Sequence, residues 1–254
     1  MKDGEKEVLR QFRYFLKDSV RKRVDFSKTD QNRGVDPPPI EKPYPAGAVR
    51  LDLVKPGHWK NIPSMDLMTA IRNRQSRRVY TNQPLTLEEL SFLLWATQGI
   101  KEKIDEGHAY RTVPSAGCRH ALETYLTVFR VEGLEPGVYR YLPLSHQLLF
   151  EFSEEKLSTK LVRAAFGQPY PGQAAVTFIW TAIPYRMEWR YGLAAHRVIA
   201  IDAGHVCQNL YLACEAIGAG TCAIAAYDQE LLDQFLRVDG EEEFAVYMAS
   251  VGKI

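Results

Sequence analysis

The segment Tyr191–Ala226 reads YGLAAHRVIAIDAGHVCQNLYLACEAIGAGTCAIAA. From Leu193 to Ile217, apolar residues fall on nearly every face of a 3.6-residue repeat, and a helix that is apolar all round is normally buried on all sides. This pattern predicts a long central helix that is covered by its own chain or by a second subunit. Gly218 and Gly220 predict its end, because glycine accepts positive φ angles. A β-like run from Cys222 to Tyr227 follows.

A buried helix, a glycine turn and a strand in this order admit two interpretations. They can present bare backbone amides to a flat ligand, and they are also ordinary architecture. The pattern alone leaves both open.

Composition bounds the class of protein. The chain has 254 residues, 46% of them hydrophobic, which is enough to bury a sizeable core. We expect one domain at residues 64–254, preceded by an extension at residues 1–63. The formal net charge of +1 gives no global field for nucleic acid or for an anionic membrane.

The cysteines and histidines show no metal-binding pattern. No CxxC pair is present, which predicts neither a zinc site nor a disulfide framework. His196 and His205 lie too far apart for the i, i+4 pairing of a helical metal site. We therefore expect no metal and four reduced, buried thiols, at Cys118, Cys207, Cys214 and Cys222.

The N-terminal region predicts a soluble, cytoplasmic protein. The sequence EKEVLRQFRYFLK mixes charged and apolar residues, unlike a signal peptide. No apolar run approaches the roughly 20 residues that cross a bilayer. The spacing of apolar residues predicts an amphipathic helix over 5–19, packed on the body or on a partner subunit. Repeated prolines over 25–63 predict an extended segment, running over its own surface or around a neighbour.

The remaining patterns predict an α+β fold with a mainly antiparallel central sheet flanked by helices. Ser64 is the expected cap of a short helix, and Thr86 with Glu89 forms a capping box for the next one. Ser153 is expected to cap a helix that reaches about Phe166. Strands are predicted at 124–131, 137–141, 146–152, 174–183 and 244–251, the first two joined as a hairpin, and a last short helix at 228–236.

Two short segments carry candidate chemistry. Arg74-x-Ser76-x-Arg78 places two guanidinium groups and a hydroxyl together, which suits an anionic cofactor tail, although basic runs are commonly solvated surface. The Pro114–Gly117 turn consists of small residues that would let a planar ring approach the backbone, and it could equally be an ordinary turn. The chain lacks the GxSxG, P-loop and GxGxxG patterns of common hydrolases, kinases and dinucleotide-binding proteins.

Seven motifs in one order make the chain resemble the nitroreductase superfamily, and more closely its SagB-type dehydrogenase branch. They are Arg74-Gln-Ser-Arg-Arg78-Val-Tyr80, Pro84-Leu-Thr-Leu-Glu-Glu-Leu90, Arg111-Thr-Val-Pro-Ser-Ala-Gly117, Gly133-Leu-Glu-Pro-Gly137-Val-Tyr139, Asp202-Ala-Gly-His-Val-Cys-Gln-Asn-Leu210, Gly218-Ala-Gly-Thr-Cys222 and Val251-Gly-Lys253. The resemblance spans about residues 64–254.

This resemblance implies a homodimer with two FMN sites, each built from both chains, and a central helix buried by its counterpart. The phosphate, the ribityl chain and the pyrimidine edge would be held by Arg74, Gln75, Ser76 and Arg78. The ring would be lined from the other subunit by Pro114, Ser115 and Ala116, followed by Gly117. The main chain of Ala225 and Ala226 would face flavin N5, with Gly218 and Gly220 nearby and Lys253 as a second phosphate cation.

The implied reaction is ping-pong: NAD(P)H or another donor passes hydride to flavin N5, and a small-molecule acceptor then takes the electrons in the same cleft. In such sites the protein positions the ring and stabilises its charge. Arg78 is the candidate for stabilising negative charge on the reduced flavin. No catalytic acid or base is assigned. The loops expected to shape the substrate cleft are 101–110 and 167–173.

Two alternatives remain. Azoline-oxidising members of the SagB-type branch carry a Lys-Tyr pair where this chain has Arg190-Tyr191, and arginine is a far poorer base than lysine. A peptide-modifying azoline dehydrogenase is therefore the second hypothesis, and Arg190 could instead bind an anionic substrate or simply be exposed. The third hypothesis is a flavin-binding or partner-docking module without turnover.

Overall fold

The computed structural model describes residues 3–254 and contains nine strands within that range. They are β1 (Arg50–Asp52), β2 (Ile100–Lys103), β3 (Ala109–Arg111), β4 (Leu122–Val128), β5 (Gly137–Leu142), β6 (Gln147–Phe152), β7 (Val176–Ala182), β8 (Ala219–Ile224) and β9 (Phe244–Lys253). Seven of them form one sheet in the order β1-β6-β5-β4-β7-β9-β8, with neighbouring strands antiparallel. A separate hairpin consists of β2 and β3.

Residues 3–254 contain eight α-helices. They are α1 (Asp3–Leu16), α2 (Leu67–Asn73), α3 (Leu87–Gln98), α4 (Leu157–Ala164), α5 (Tyr170–Gln173), α6 (Tyr185–Tyr191), α7 (Ala195–Ala216) and α8 (Gln229–Leu236). Neighbouring side chains of a strand point to opposite faces, so Trp180 joins the core with α3 and α7, whereas Ile179 joins the core with α4 and α8. The predicted α+β fold with a flanked antiparallel sheet is confirmed.

The central helix α7 begins three residues after Gly192 and ends just before Gly218, whose φ of 60° terminates it. One side, including Ile199, Val206 and Leu210, is buried in the core. Another side stays uncovered in the single chain, where Ile201 is 45% exposed. Burial of α7 on all sides would therefore require a second subunit, as the sequence left open.

Several local predictions are confirmed by specific hydrogen bonds or pairings. The backbone N–H of Thr86 donates to Glu89 Oε2 at 3.0 Å, and the backbone N–H of Glu89 donates to Thr86 Oγ1 at 3.1 Å, which completes the capping box of α3. Strands β4 and β5 form the predicted hairpin, with Val128 opposite Gly137. The last helix α8 is capped by Asp228.

Other local predictions are wrong. Asp66, rather than Ser64, caps α2, because its carboxylate accepts the backbone N–H groups of Met68 and Thr69. Ser153 does not cap α4; its hydroxyl donates to the carbonyl of Pro136, and the helix starts after Lys156. The segment 101–110, expected as a loop of the substrate cleft, forms most of the hairpin β2–β3.

The N-terminal helix α1 runs over Asp3–Leu16 instead of 5–19, and a 3-10 turn follows at Asp18–Arg23. Its apolar side lies largely in the open, with Phe12 75% and Leu16 71% exposed. The predicted packing of this side on a partner subunit stays a prediction.

The proline-rich segment is held on its own chain by three buried arginines. Arg111 donates to the carbonyl of Ile40 at 2.8 Å, and Arg119 donates to that of Pro38 at 3.1 Å. Arg140 donates to the carbonyls of Lys42 and Pro43, at 2.8 and 3.2 Å. Buried carbonyls need donors, and prolines break the backbone pairing that would otherwise supply them. This part of the segment therefore packs on the body of its own chain.

All four cysteines are free, but Cys118 is only half-buried, so its predicted burial is wrong. Within residues 3–254, no group of three or more His, Cys, Asp or Glu side chains could hold a metal ion. None of the helices in the same range has the length and apolar character needed to cross a membrane.

Replacing Glu123 with alanine should strongly destabilise the fold. Its buried carboxylate binds Arg186 at 2.5 Å, lies 3.6 Å from Arg140 and accepts the backbone N–H of Lys42 at 2.8 Å. Its removal leaves buried cations uncompensated, which costs about 3–5 kcal/mol. Urea unfolding measures this loss. Glu151→Ala removes a more exposed partner of the same Arg140 and should cost clearly less; equal losses would contradict this account.

Candidate functional site

The segment 74–81, called the arginine segment below, runs along the edge of the sheet beside β8. Ser76 forms a parallel bridge with Thr221 of β8, and the backbone N–H of Arg77 donates to the carbonyl of Thr221 at 2.9 Å. Further on, the backbone N–H of Thr81 donates to the carbonyl of Lys253 at 2.8 Å. The predicted phosphate-binding residues are therefore fixed to the main sheet.

Tyr211 of α7 joins this segment to β8. Its hydroxyl lies 2.8 Å from Ser76 Oγ and accepts the backbone N–H of Ala223 at 2.9 Å. The Arg74 guanidinium carbon lies 5.3 Å from the centre of the Tyr211 ring, within cation–π range. Tyr211 was missed in the sequence, where the all-round apolar pattern of the helix gave it no distinct signal.

The two candidate phosphate cations have no protein counter-charge. Neither Arg74 nor Arg78 forms an ion pair with a carboxylate in the described range 3–254. Arg78 is exposed and lies 5.7 Å from the centre of the Tyr170 ring. A hydrogen bond with Tyr170 raises the pKa of Arg78, so the guanidinium stays charged. Gln75 is also exposed. This edge can accordingly accept an anion.

Gly220 allows the arginine segment to lie close to the backbone of β8. A Cβ atom added there would lie 2.5 Å from the Cβ atom of Arg77, so a side chain would push this segment away from β8. Gly218 lies in the turn between α7 and β8 with φ of 60° and has open space around it. Gly220, unlike Gly218, is thus fixed by packing against the arginine segment.

Ala225 and Ala226 follow β8 and are exposed. The carbonyl of Ala226 accepts a hydrogen bond from Gln168 Nε2 at 2.8 Å. Ala225 borders a cavity of about 580 Å³, which is a size typical of small-molecule sites. Its walls include Ile199 and Ala203 of α7 and Tyr247 of β9.

Lys253 differs from Arg74 and Arg78 because it has a carboxylate partner in the chain. Its ammonium group forms an ion pair with Glu89 Oε1 at 2.5 Å and donates to the carbonyl of Ile217 at 2.7 Å. Its charge is therefore compensated within the chain, unlike the charges of Arg74 and Arg78.

The Pro114–Gly117 turn packs against the end of α6. Gly117 has φ of 61°, and a Cβ atom added there would lie 2.7 Å from the Tyr191 hydroxyl and 3.0 Å from Arg190 Nε. The structure therefore brings the predicted turn and the Arg190-Tyr191 pair together. This contact explains why glycine is needed at position 117.

Asp202 of α7 lies on the other side of this turn and was not a predicted site residue. Burial raises the pKa of the Asp202 carboxyl, and the nearby Ser115 hydroxyl and Ala116 backbone N–H act in the opposite direction. Ser115 Oγ also accepts the backbone N–H of His120 at 3.0 Å. Asp202 therefore lies beside the turn, and the Ser115 hydroxyl fixes the backbone that follows the turn.

The turn and the arginine segment contact opposite sides of α7. The turn meets Asp202, whereas the arginine segment meets Tyr211. Nine residues correspond to about 2.5 helical turns, so these two side chains point in roughly opposite directions. The two groups of predicted residues are not brought together around a common side of α7 within one chain.

The fold and these motifs agree with comparisons to known proteins. The model of the nitroreductase family matches residues 71–253, so the chain belongs to this family. A nitroreductase-named protein of Methanocaldococcus jannaschii, MJ1384, is 32% identical over 76% of this chain and 93% of its own length. A crystal structure described as a nitroreductase from Ralstonia eutropha has a TM-score of 0.66 and 26% identity, covering 86% of this chain and 98% of that one.

Two further similarities are to a trifolitoxin-processing protein and to a chain of a microcin synthetase complex. The trifolitoxin-processing protein TfxB of Rhizobium leguminosarum is 27% identical over 52% of this chain, which corresponds to 36% of its own length. A chain of the E. coli microcin synthetase McbBCD complex has a TM-score of 0.59 at 20% identity, covering 80% of this chain and 77% of that chain. The latter similarity concerns the fold alone.

Replacing Tyr211 with phenylalanine should loosen the arginine segment. The change leaves the Ala223 N–H and the Ser76 hydroxyl without their shared partner, and an unsatisfied buried group costs about 1–3 kcal/mol. Urea unfolding measures the loss, and limited proteolysis after Arg72, Arg74 and Arg77 reports on the segment. Tyr110→Phe, at a half-exposed tyrosine of β3, is the control; equal stability of both variants would contradict the proposed link.

Proposed function

We propose that this chain is an FMN-dependent oxidoreductase that transfers hydride from NAD(P)H to a small-molecule acceptor by a ping-pong mechanism. The observation that carries this proposal is the pair of uncompensated guanidinium groups of Arg74 and Arg78 beside β8, in a chain of the nitroreductase family. Two cations with an adjacent hydroxyl are suited to a phosphate ester.

The residues present fit this cofactor. Arg74, Ser76 and Arg78 provide charged and neutral donors for the phosphate and the polar chain, and Gln75 is exposed beside them. The apolar cavity beside Ala225 has space for a flat ring system or part of it. Lys253 is the weakest member of the predicted set, because Glu89 already compensates its charge.

Bound FMN would supply the hydride-accepting and hydride-donating chemistry, and the protein would supply binding and orientation. Arg74 and Arg78 would hold the phosphate and, at Arg78, stabilise negative charge near the pyrimidine edge. The main chain at Ala225 and Ala226, close to Gly218 and Gly220, would face the reactive edge. The Pro114–Gly117 turn, which packs against Arg190 and Tyr191, would cover the ring and exclude water.

The same proposal includes a homodimer. The arginine segment and the Pro114–Gly117 turn contact opposite sides of α7, so a turn from a second copy could complete the site that one chain begins. The exposed side of α7, with Ile201, would lie in the interface. Four free cysteines agree with a reducing, cytoplasmic location.

Replacing both Arg74 and Arg78 with alanine should weaken FMN binding by about 100-fold or more. Hydrogen bonds to charged groups contribute about 1.5–3 kcal/mol each, and 1.4 kcal/mol corresponds to a tenfold change in affinity. Quenching of flavin fluorescence measures the dissociation constant. Arg163→Ala on α4 is the control, because this exposed arginine lies on another element. Unchanged affinity in the double variant would place the phosphate elsewhere.

Replacing Ile201 with glutamate should dissociate the dimer, because a charge buried in an apolar interface is costly. We expect the dimer dissociation constant to rise at least about tenfold, as measured by analytical ultracentrifugation. Leu144→Glu alters a residue of similar exposure, 43%, in the turn between β5 and β6. A monomeric wild-type protein, or equal effects of both variants, would refute the α7 interface.

Oxidation of an azoline in a peptide is the second candidate function, and the similarity to TfxB favours it. The Arg190-Tyr191 pair argues against azoline oxidation. This reaction needs a base, and a guanidinium group does not lose its proton near neutral pH. The two functions separate experimentally: the first predicts rapid NAD(P)H oxidation by the isolated protein, and the second requires a cyclised peptide substrate.

A further inference from the structure

The Arg190 side chain lies against the turn proposed to cover the cofactor ring. Its Cδ and Nε atoms would each lie 3.0 Å from a Cβ atom added to Gly117. Its guanidinium carbon lies 5.5 Å from the centre of the Tyr191 ring. The stem of Arg190 is thus packed between the turn and Tyr191, and the residue is half-buried.

The charge of Arg190 is uncompensated. No carboxylate in the described part of the chain pairs with it, and its guanidinium donates none of the hydrogen bonds found among residues 3–254. The carboxylates of the surrounding elements have other partners: Glu123 pairs with Arg186, Glu188 binds His196 at 2.7 Å, and Asp105 binds His108 at 2.8 Å.

A second cation, Arg119, lies near Arg190. Arg119 donates to the carbonyls of Arg186, Gly107 and Pro38, which are neutral acceptors. Burial and the positive charge of Arg186 lower the pKa of Arg119 to about 10, and Arg190 acts in the same direction. The Asp105 carboxylate acts in the opposite direction. Arg119 therefore still carries its proton at neutral pH and lies near Arg190, and it forms no ion pair in the described part of the chain.

An exposed cation at the end of a helix is commonly explained by the helix dipole, which is worth about 0.3–1 kcal/mol. Arg190 does lie in the last turn of α6. The dipole does not account for the packing of its stem over Gly117 or for a second cation, Arg119, near it. A planar guanidinium group in such a position is suited to bidentate binding of a carboxylate or phosphate group.

We infer that Arg190 is a specificity-determining residue that binds an anionic group, carboxylate or phosphate, on the small-molecule acceptor. This inference rests on the proposed oxidoreductase function and specifies its substrate class. The acceptor would lie over the covered ring with its reducible group toward the cofactor and its anionic group toward Arg190. Arg190 would act in binding and would transfer no proton.

The test compares three acceptors of one shape: 4-nitrobenzoate, 4-nitrophenyl phosphate and the neutral 4-nitrobenzamide. The wild-type protein should show a KM at least about tenfold lower for one or both anions than for the amide. Arg190→Gln should remove most of this difference, mainly through KM and not kcat, and Arg190→Lys should retain part of it. Arg163→Gln should keep the wild-type ratio.

Calorimetric titration of 4-nitrobenzoate and 4-nitrophenyl phosphate into the purified protein gives a readout independent of turnover. Binding that weakens about tenfold in Arg190→Gln supports the inference even if no acceptor is reduced, an outcome that would refute the proposed function alone. The anion that binds more tightly identifies the group. Equal KM values for anionic and neutral acceptors in the wild type, or an unchanged preference in Arg190→Gln, would overturn the inference.

Discussion

The packing of α7 on the sheet is the constraint on which the rest of the structure depends. Its buried side, including Leu210, lies against strands that are themselves covered on both faces. Because α7 cannot shift without opening this core, the residues on its other sides have fixed positions. Tyr211 holds the arginine segment, and Asp202 lies beside the Pro114–Gly117 turn. One helix therefore sets the positions of both groups of candidate site residues.

The electrostatics of the chain distinguish structural arginines from candidate functional ones. Arg140 and Arg186 are buried and paired with Glu123, and Arg140 also holds the proline-rich segment. Arg74, Arg78 and Arg190 are more exposed and have no carboxylate partners within residues 3–254. In a chain with a net charge of only +1, such local surpluses of positive charge indicate where an anion could bind.

Much of the fold could be predicted from local sequence patterns. The capping box at Thr86 and the apolar run of α7 depend on neighbouring residues, and both were predicted correctly. Ser64 and Ser153 failed as caps because other residues compete for the same role. Asp66 offers two carboxylate oxygens to α2, and the Ser153 hydroxyl is taken by a distant carbonyl. Such competition is decided by tertiary contacts.

The segments of the candidate site could be predicted from the sequence, but the contacts that position these segments could not. Motifs at Arg74 and Pro114 identified candidate residues. Tyr211, which holds the arginine segment, lies within an apolar helix and gave no separate signal, and Asp202 was matched in a family motif without a predicted role. The most direct test of the central claim compares the affinities of FMN and riboflavin, which differ by the phosphate. The account predicts that FMN binds at least about tenfold more tightly and that added salt narrows the difference. Equal affinities, or no binding of either flavin, would contradict it.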